Sequence, residues 1–411
     1  MNSQKKSLNK VYIALLFDGL CVSSANVILP LLREQFHLQY DFTGLLLAFL
    51  SIGNLAAALL CGVLSTKIGM KKTAMIFIIG MMLGYGILTI SGAPVLLIAG
   101  FLFIGLAKGA SMNNGTVLAG NMAEDRTKSV NMINAMYALG SMLAPFIYLA
   151  ASGKSFPWWM PIAVLTVAGL ILWLLFFSIK DFGEKRDLEV QKCEDSDLVN
   201  CQNSQTDEKG QLKKDKQEIR EDKNSKEWEF LKEKHFWLST SLLFGQQCAE
   251  ISVTGWLVTY YKDQGILSGV FSEFTVTVIW FAMLAARLFI VFVLPANKNR
   301  NSLTIMSIAS LITYALMLCA NNGITAILSL FLFGISIAGV YPTAIAQASK
   351  GLSNASVGVQ LPIAGIGAIA MPYITGAVAQ RIGIKGGMAC SLVALVWMLV
   401  FAVLTRAEDR K

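Results

Sequence analysis

Apolar residues run along this chain in stretches of twenty or more, broken by short polar turns, and do not alternate with polar residues as on a soluble helix. About 20 apolar residues in a helix cross a hydrocarbon core of about 30 Å. The pattern predicts twelve spans, at 10–32, 42–65, 73–92, 95–121, 130–152, 157–180, 236–261, 271–296, 302–321, 324–348, 357–380 and 386–405. One long polar interruption, 181–235, divides them six and six. The expected fold is an all-α membrane protein of twelve transmembrane helices in two pseudo-symmetric six-helix bundles. Its parts are an N-terminal bundle (1–180), a charged linker (181–235) too polar to build a core and expected to be disordered, and a C-terminal bundle (236–411). The opening run is basic and then apolar, like a signal peptide. It contains Asp18 and continues past Pro30 with no small-residue cleavage pattern, so we read it as a retained first helix.

Composition sharpens this. Only 15% of the 411 residues are charged, against about 25% in a soluble domain. Of the 60 Asp, Glu, Lys and Arg residues, 28 lie between 181 and 234, as 16 acids and 12 bases. That segment is net −4 in a chain of formal charge +8, so the positive excess sits in the short loops. A basic total of this origin does not point to nucleic acid. Fourteen Lys and Arg residues fall on one side of the predicted spans and five on the other. The positive-inside rule then places both termini and the linker in the cytoplasm, in the cell (plasma) membrane.

Seven cysteines show neither a disulfide framework nor metal spacing. The two histidines, His37 and His235, lie at span edges, and no nucleophile, phosphate-loop or zinc motif is present. No enzyme activity, cofactor, metal or ATP-driven step is expected.

The halves echo one another. "NAMYALGSMLAPFI" in span five matches "LPIAGIGAIAMPYI" in span eleven, each with a glycine five residues before a proline: Gly140 with Pro145, Gly367 with Pro372. Repeated halves suit a device that rocks about a central site; shared small-residue packing is the plainer alternative.

Four ionisable residues interrupt the spans: Asp18, Lys108, Glu250 and Arg287. Each costs about 2.5–3.5 kcal/mol at a span centre on insertion scales, so they must pair or face a wet cavity. Gln246, Glu250 and Thr254 share one face at i, i+4, i+8, with Gln247 beside them. Such groups suit hydroxyl recognition, and Trp256 and Tyr260 offer flat surfaces of the kind sugar rings stack upon. A buried polar cluster holding helices together is the alternative. Asp18 and Lys108 are offset by about 8 Å along their helices, within reach of a lysine stem, as an ion pair or as functional partners. Arg287 has Glu250 as its expected partner. Further polar candidates are Asn26, Asn113, Asn114, Asn134, Tyr137, Tyr341 and Gln360, each either a helix–helix hydrogen bond or a ligand contact.

The loop "GVLSTKIGMKK" resembles the G-x-L-x-D-R-x-G-R-K loop of the major facilitator superfamily, through Gly62, Leu64, Lys67, Gly69, Lys71 and Lys72. Thr66 stands at the family's acidic position. "AEISVTGWLVTYY", "LPLLREQFHLQYDFTGLL" and "GVYPTAIA" are similar to the fucose and glucose/galactose permease branch, a group of sugar:cation symporters. The branch's span-one carboxylate is replaced by Asn26, and span four carries Lys108 and no acid, so proton-coupled fucose transport does not carry over directly. The resemblance implies a secondary transporter in the bilayer, working by alternating access on a small polar solute, a sugar foremost, with H⁺ or Na⁺ as coupling ion. An exporter of drugs or organic anions using Lys108 and Arg287, and a non-transporting membrane receptor, remain alternatives.

Overall fold

The computed structural model describes residues 2–152, 156–179, 229–292, 301–348 and 354–408. The described residues are helical, with no strand among them. The first half consists of α1 (Asn2–Phe36), α2 (Tyr40–Ile68), α3 (Met70–Ile90), α4 (Pro94–Met122), α5 (Arg126–Ala151) and α6 (Met160–Ser178). The second has α7 (Lys234–Asp263), α8 (Gly269–Glu273), α9 (Thr275–Phe292), α10 (Ser302–Cys319), α11 (Gly323–Ala338), α12 (Val340–Ala348), α13 (Asn354–Ile382) and α14 (Ile384–Glu408).

Eleven helical segments among the described residues are long and apolar enough to cross a membrane. The twelfth position belongs to α7, which has 30 residues but carries Gln246, Gln247 and Glu250 in its middle. The predicted tenth span is divided: α11 stops at Ala338 and α12 begins at Val340. Pro342 accounts for the break, because it has no N–H to give the Ala338 carbonyl and its ring crowds that carbonyl. The linker expected at 181–235 lies outside the described residues up to 228; a 3-10 turn, Glu229–Lys232, then leads towards α7.

Turn chemistry delimits several helices. The Asp125 carboxylate accepts from the Lys128 amide at 3.0 Å at the start of α5. The Asn322 side chain does the same for Thr325 at 2.9 Å in α11. Gly69 alone separates α2 from α3, at a φ of 86° that a side chain would resist.

The helices pack as two bundles. In the first, α1 lies against α5 and α6, α4 against α2 and α3, and α3 against α6. In the second, α7 lies against α13 and α14, α11 against α9 and α10, and α14 against α10. Across the halves α2 meets α13, α5 meets α9, and α1 touches α7. The sequence echo has a packing counterpart. A Cβ on Gly140 of α5 would sit 1.8 Å from the Leu16 carbonyl oxygen of α1, and one on Gly367 of α13 would sit 2.7 Å from the Phe244 carbonyl oxygen of α7. Each glycine lets the fifth or eleventh span press against the first span of its own half.

We call the face that carries both chain ends the terminal face, and the opposite one the far face.

Candidate functional site

Asp18 lies at the middle of α1, 0% exposed, and neither of its carboxylate oxygens has a hydrogen-bond partner. Lys108 and Ser111 of α4 are the polar groups that act on it. Ser111 directs its hydroxyl proton to the Lys108 carbonyl at 3.1 Å. A direct Asp18–Lys108 ion pair, one of the two readings the sequence left open, is not formed. Lys108 instead feels two acids, Asp18 of its own half and Glu250 of the other.

Glu250 lies near the middle of α7 and accepts a hydrogen bond from Gln246, one turn earlier. Arg287 of α9 also acts on it electrostatically without forming an ion pair, and the Arg287 Nε is buried without a partner among the described residues. Tyr137 of α5 lies within the fields of Asp18, Glu250 and Arg287 together, and Tyr341 of α12 within those of Glu250 and Arg287. The Tyr137 ring meets Trp280 of α9 edge-on at 5.5 Å, across the halves. Seven polar groups, three from the first half and four from the second, thus converge at mid-membrane. Lys108, Glu250, Arg287 and Tyr341 are half-buried although they sit deep in their bundles.

The other candidates separate from this cluster. Asn114 is turned to α2, where the Ser65 hydroxyl reaches its Oδ1 at 3.1 Å. Asn134 donates to the Val130 carbonyl of its own helix at 3.0 Å, and Thr254 to the Glu250 carbonyl at 2.8 Å. Gln360, 1% exposed, donates to Ser239 at 3.0 Å and so ties α13 to α7. Asn26 and Gln247 are half-buried, and Asn113 is exposed. Trp256 and Tyr260, expected as stacking surfaces, are each 0% exposed. The Trp256 indole donates to the Pro372 carbonyl at 3.0 Å, and its ring lies 6.1 Å from that of Tyr40. Both are enclosed within the second bundle, Trp256 against α13 and Tyr260 edge-on to Tyr261 at 5.1 Å.

In the loop motif, Gly69 makes the one-residue turn, Lys71 donates to the Ile179 carbonyl, and Gly62, Lys67 and Lys72 are exposed.

The sequence reading missed a clasp on the far face. Arg33 of α1 donates to Asp263 of α7, whose Oδ2 also accepts from the Tyr40 hydroxyl at 2.7 Å. Next to it Lys262 pairs with Glu34 at 2.9 Å. The Tyr40 amide donates to Gln380 of α13 at 3.0 Å, and Phe146 meets Phe274 edge-on at 5.0 Å. Its signal was present as two charged dipeptides, Arg33-Glu34 and Lys262-Asp263, at the far ends of the first and seventh spans.

Two helical bundles that enclose ionisable groups between them at mid-membrane are the architecture of a polytopic membrane transporter. Comparison with known proteins narrows the class. The chain belongs to the Major Facilitator Superfamily, which it matches over residues 11–361. It is 28% identical over 163 residues to the glucose transporter GlcP of Staphylococcus epidermidis, a match covering 39% of this chain and 36% of that relative's length. Its fold superposes on a D-xylose-proton symporter with a TM-score of 0.74 at 13% identity, covering 97% of this chain and 96% of the other. It superposes on the nucleoside transporter NupG with a TM-score of 0.70 at 16% identity over the whole of both chains. These two structures establish the likeness of fold.

Proposed function

We propose that this chain is a secondary active carrier that moves a small polar solute, a sugar, across the cytoplasmic membrane by alternating access coupled to H⁺. The observation that carries the proposal is the meeting of Asp18, Lys108 and Tyr137 with Gln246, Glu250, Arg287 and Tyr341 between the two halves. Amide, carboxylate and phenol groups together supply the directed donors and acceptors that hydroxyls need. A site shared between halves is remade whenever they rock, which is what alternating access requires. The clasp on the far face supports a state in which the cluster is shut off from that side. The uneven distribution of Lys and Arg supports a cytoplasmic terminal face.

Asp18 is the group we assign to the coupling ion. A buried carboxylate without a donor carries its charge at a cost of several kcal/mol, and a bound proton removes that cost. Glu250, the other buried acid of the cluster, has Gln246 and Arg287 to hold its charge. Lys108, acting on both acids, disfavours a bound metal cation beside them, so H⁺ fits better than Na⁺.

The test is uptake of labelled hexoses into proteoliposomes under an imposed pH gradient. Accumulation should collapse with a protonophore. Accumulation that persists with no ion gradient overturns the coupling. A thermal-shift screen against sugars, nucleosides, organic acids and peptides identifies the solute, since a ligand that binds only the folded state raises its stability. An organic anion emerging from that screen, with binding lost in Lys108→Glu, would replace the sugar reading by the anion-carrier one.

A further inference from the structure

Where α2 gives way to α3 on the terminal face, the structure holds a cavity of about 540 Å³. Its rim carries Lys67 and Lys72, both exposed, and its wall is Met75, Ile76, Ile79 and Trp173. Lys72, Ile76 and Ile79 fall at i, i+4, i+7 on one face of α3. At 1.5 Å per residue, Ile79 lies about 10 Å below Lys72 towards the membrane centre. Ile76 and Ile79 remain 53% and 38% exposed, so the wall opens sideways to the acyl chains. Behind it the Trp173 indole donates to the Met75 carbonyl at 3.2 Å and stacks on Phe177 at 5.7 Å, which fixes α6 against α3.

Among the described residues no acid neutralises the charges on this rim. Lys71 is committed to the Ile179 carbonyl. Lys67 and Lys72 form no ion pair among the described residues. Thr66, where the superfamily's loop carries an acid, returns its hydroxyl to the Val63 carbonyl at 2.7 Å. The start of α3 adds the positive end of its helix dipole, with no side-chain cap.

We propose that this cavity binds an anionic phospholipid, its phosphate between Lys67 and Lys72 and one acyl chain along Ile76 and Ile79 in front of Trp173. Charge complementarity selects the headgroup, and basic pockets between membrane helices are known to hold such lipids. The apolar wall selects a lipid over free phosphate, which would leave it empty. A zwitterionic lipid brings its own cation to the two lysines and is disfavoured. The inference does not depend on which solute is carried.

Native mass spectrometry of the delipidated full chain, offered equal phosphatidylglycerol and phosphatidylcholine, tests it. The expected result is selective retention of one phosphatidylglycerol. Lys67→Gln/Lys72→Gln should weaken retention roughly 30-fold, as the loss of two lysines near an anionic surface implies. Ile79→Trp should weaken it with the charges intact. Both changes lie on the exposed rim and wall, and an unchanged unfolding temperature without lipid confirms that they fold. Equal retention of the two lipids, retention insensitive to both variants, or displacement by inorganic phosphate overturns the proposal. So does phosphatidylglycerol binding that appears only after deletion of 185–225, which would make this chain's own acidic segment the occupant.

Discussion

Arg33 and Asp263 join the two halves of the protein across the far face, guanidinium to carboxylate, with the Tyr40 hydroxyl on the same Asp263 oxygen. Glu34 and Lys262 form a second pair of opposite polarity beside it. One exposed pair is worth only about 0.2–1 kcal/mol. Four charges, Tyr40 and the Gln380 contact acting together can hold a face shut. Asp263→Arg sets two guanidinium groups against each other. We expect spin labels on the far ends of α2 and α13 to move apart in this variant, and the Arg33→Asp/Asp263→Arg exchange to restore the short distance. If the reversal leaves the distance unchanged, the clasp does not govern closure.

The isolation of Asp18 leads to a division between coupling and movement. Asp18→Asn keeps the shape and removes the exchangeable proton. Under the proposed mechanism, gradient-driven accumulation falls to the equilibrium level while solute exchange between loaded vesicles continues. Glu250→Gln, in contrast, keeps an acceptor for Gln246 but removes the negative charge on which Arg287 and Lys108 act, and should impair binding and exchange alike. Proteoliposome accumulation and counterflow, measured side by side, distinguish the two. Loss of both activities in Asp18→Asn would give Asp18 a binding or structural role instead.

How far the sequence led depended on the kind of information each feature needs. The spans were legible because a bilayer demands long apolar runs and the charged loops mark their ends. The break at Gly339 was also written in the sequence, as Pro342, but the apolar run from 324 to 348 conceals it. The cost of placing charges in hydrocarbon marked Asp18, Lys108, Glu250 and Arg287 as residues that must pair or face water, but not that Lys108 would act on Glu250 across the halves. Trp256 shows the limit: its helix face could be calculated, but whether that face meets a cavity or α13 depends on a partner more than a hundred residues away. The Arg33–Asp263 contact was hidden for the same reason.

The tight approach of α5 to α1 makes Gly140 the more demanding of the two paired glycines. A Cβ there meets backbone, the Leu16 oxygen at 1.8 Å, which cannot turn aside. At Gly367 the nearest atoms are the Phe244 oxygen at 2.7 Å and the Cys248 Sγ at 2.8 Å, and the latter can rotate away. Overpacking costs about 1–3 kcal/mol. Gly140→Ala should therefore lower the unfolding temperature of the purified protein more than Gly367→Ala. The reverse order would show that the closeness of α1 and α5 is not maintained in the membrane.

Trp256 provides a test of where the solute does not bind. The ring is fully enclosed, and its N–H satisfies the Pro372 carbonyl inside α13, just before the turn of helix that packs on α2. Trp256→Phe keeps most of the apolar volume but removes a buried hydrogen bond to a carbonyl that its own helix already satisfies, at a cost of about 0.5–1.5 kcal/mol. We expect a lower unfolding temperature, and a Kd for the identified solute close to that of the unaltered protein. Gln246→Ala should show the opposite balance, a weaker Kd with a smaller loss of stability, because Gln246 positions the Glu250 carboxylate within the central cluster. A Kd changed tenfold or more by Trp256→Phe, about 1.4 kcal/mol of binding, would return the indole to the solute site and require α7 to turn during the cycle.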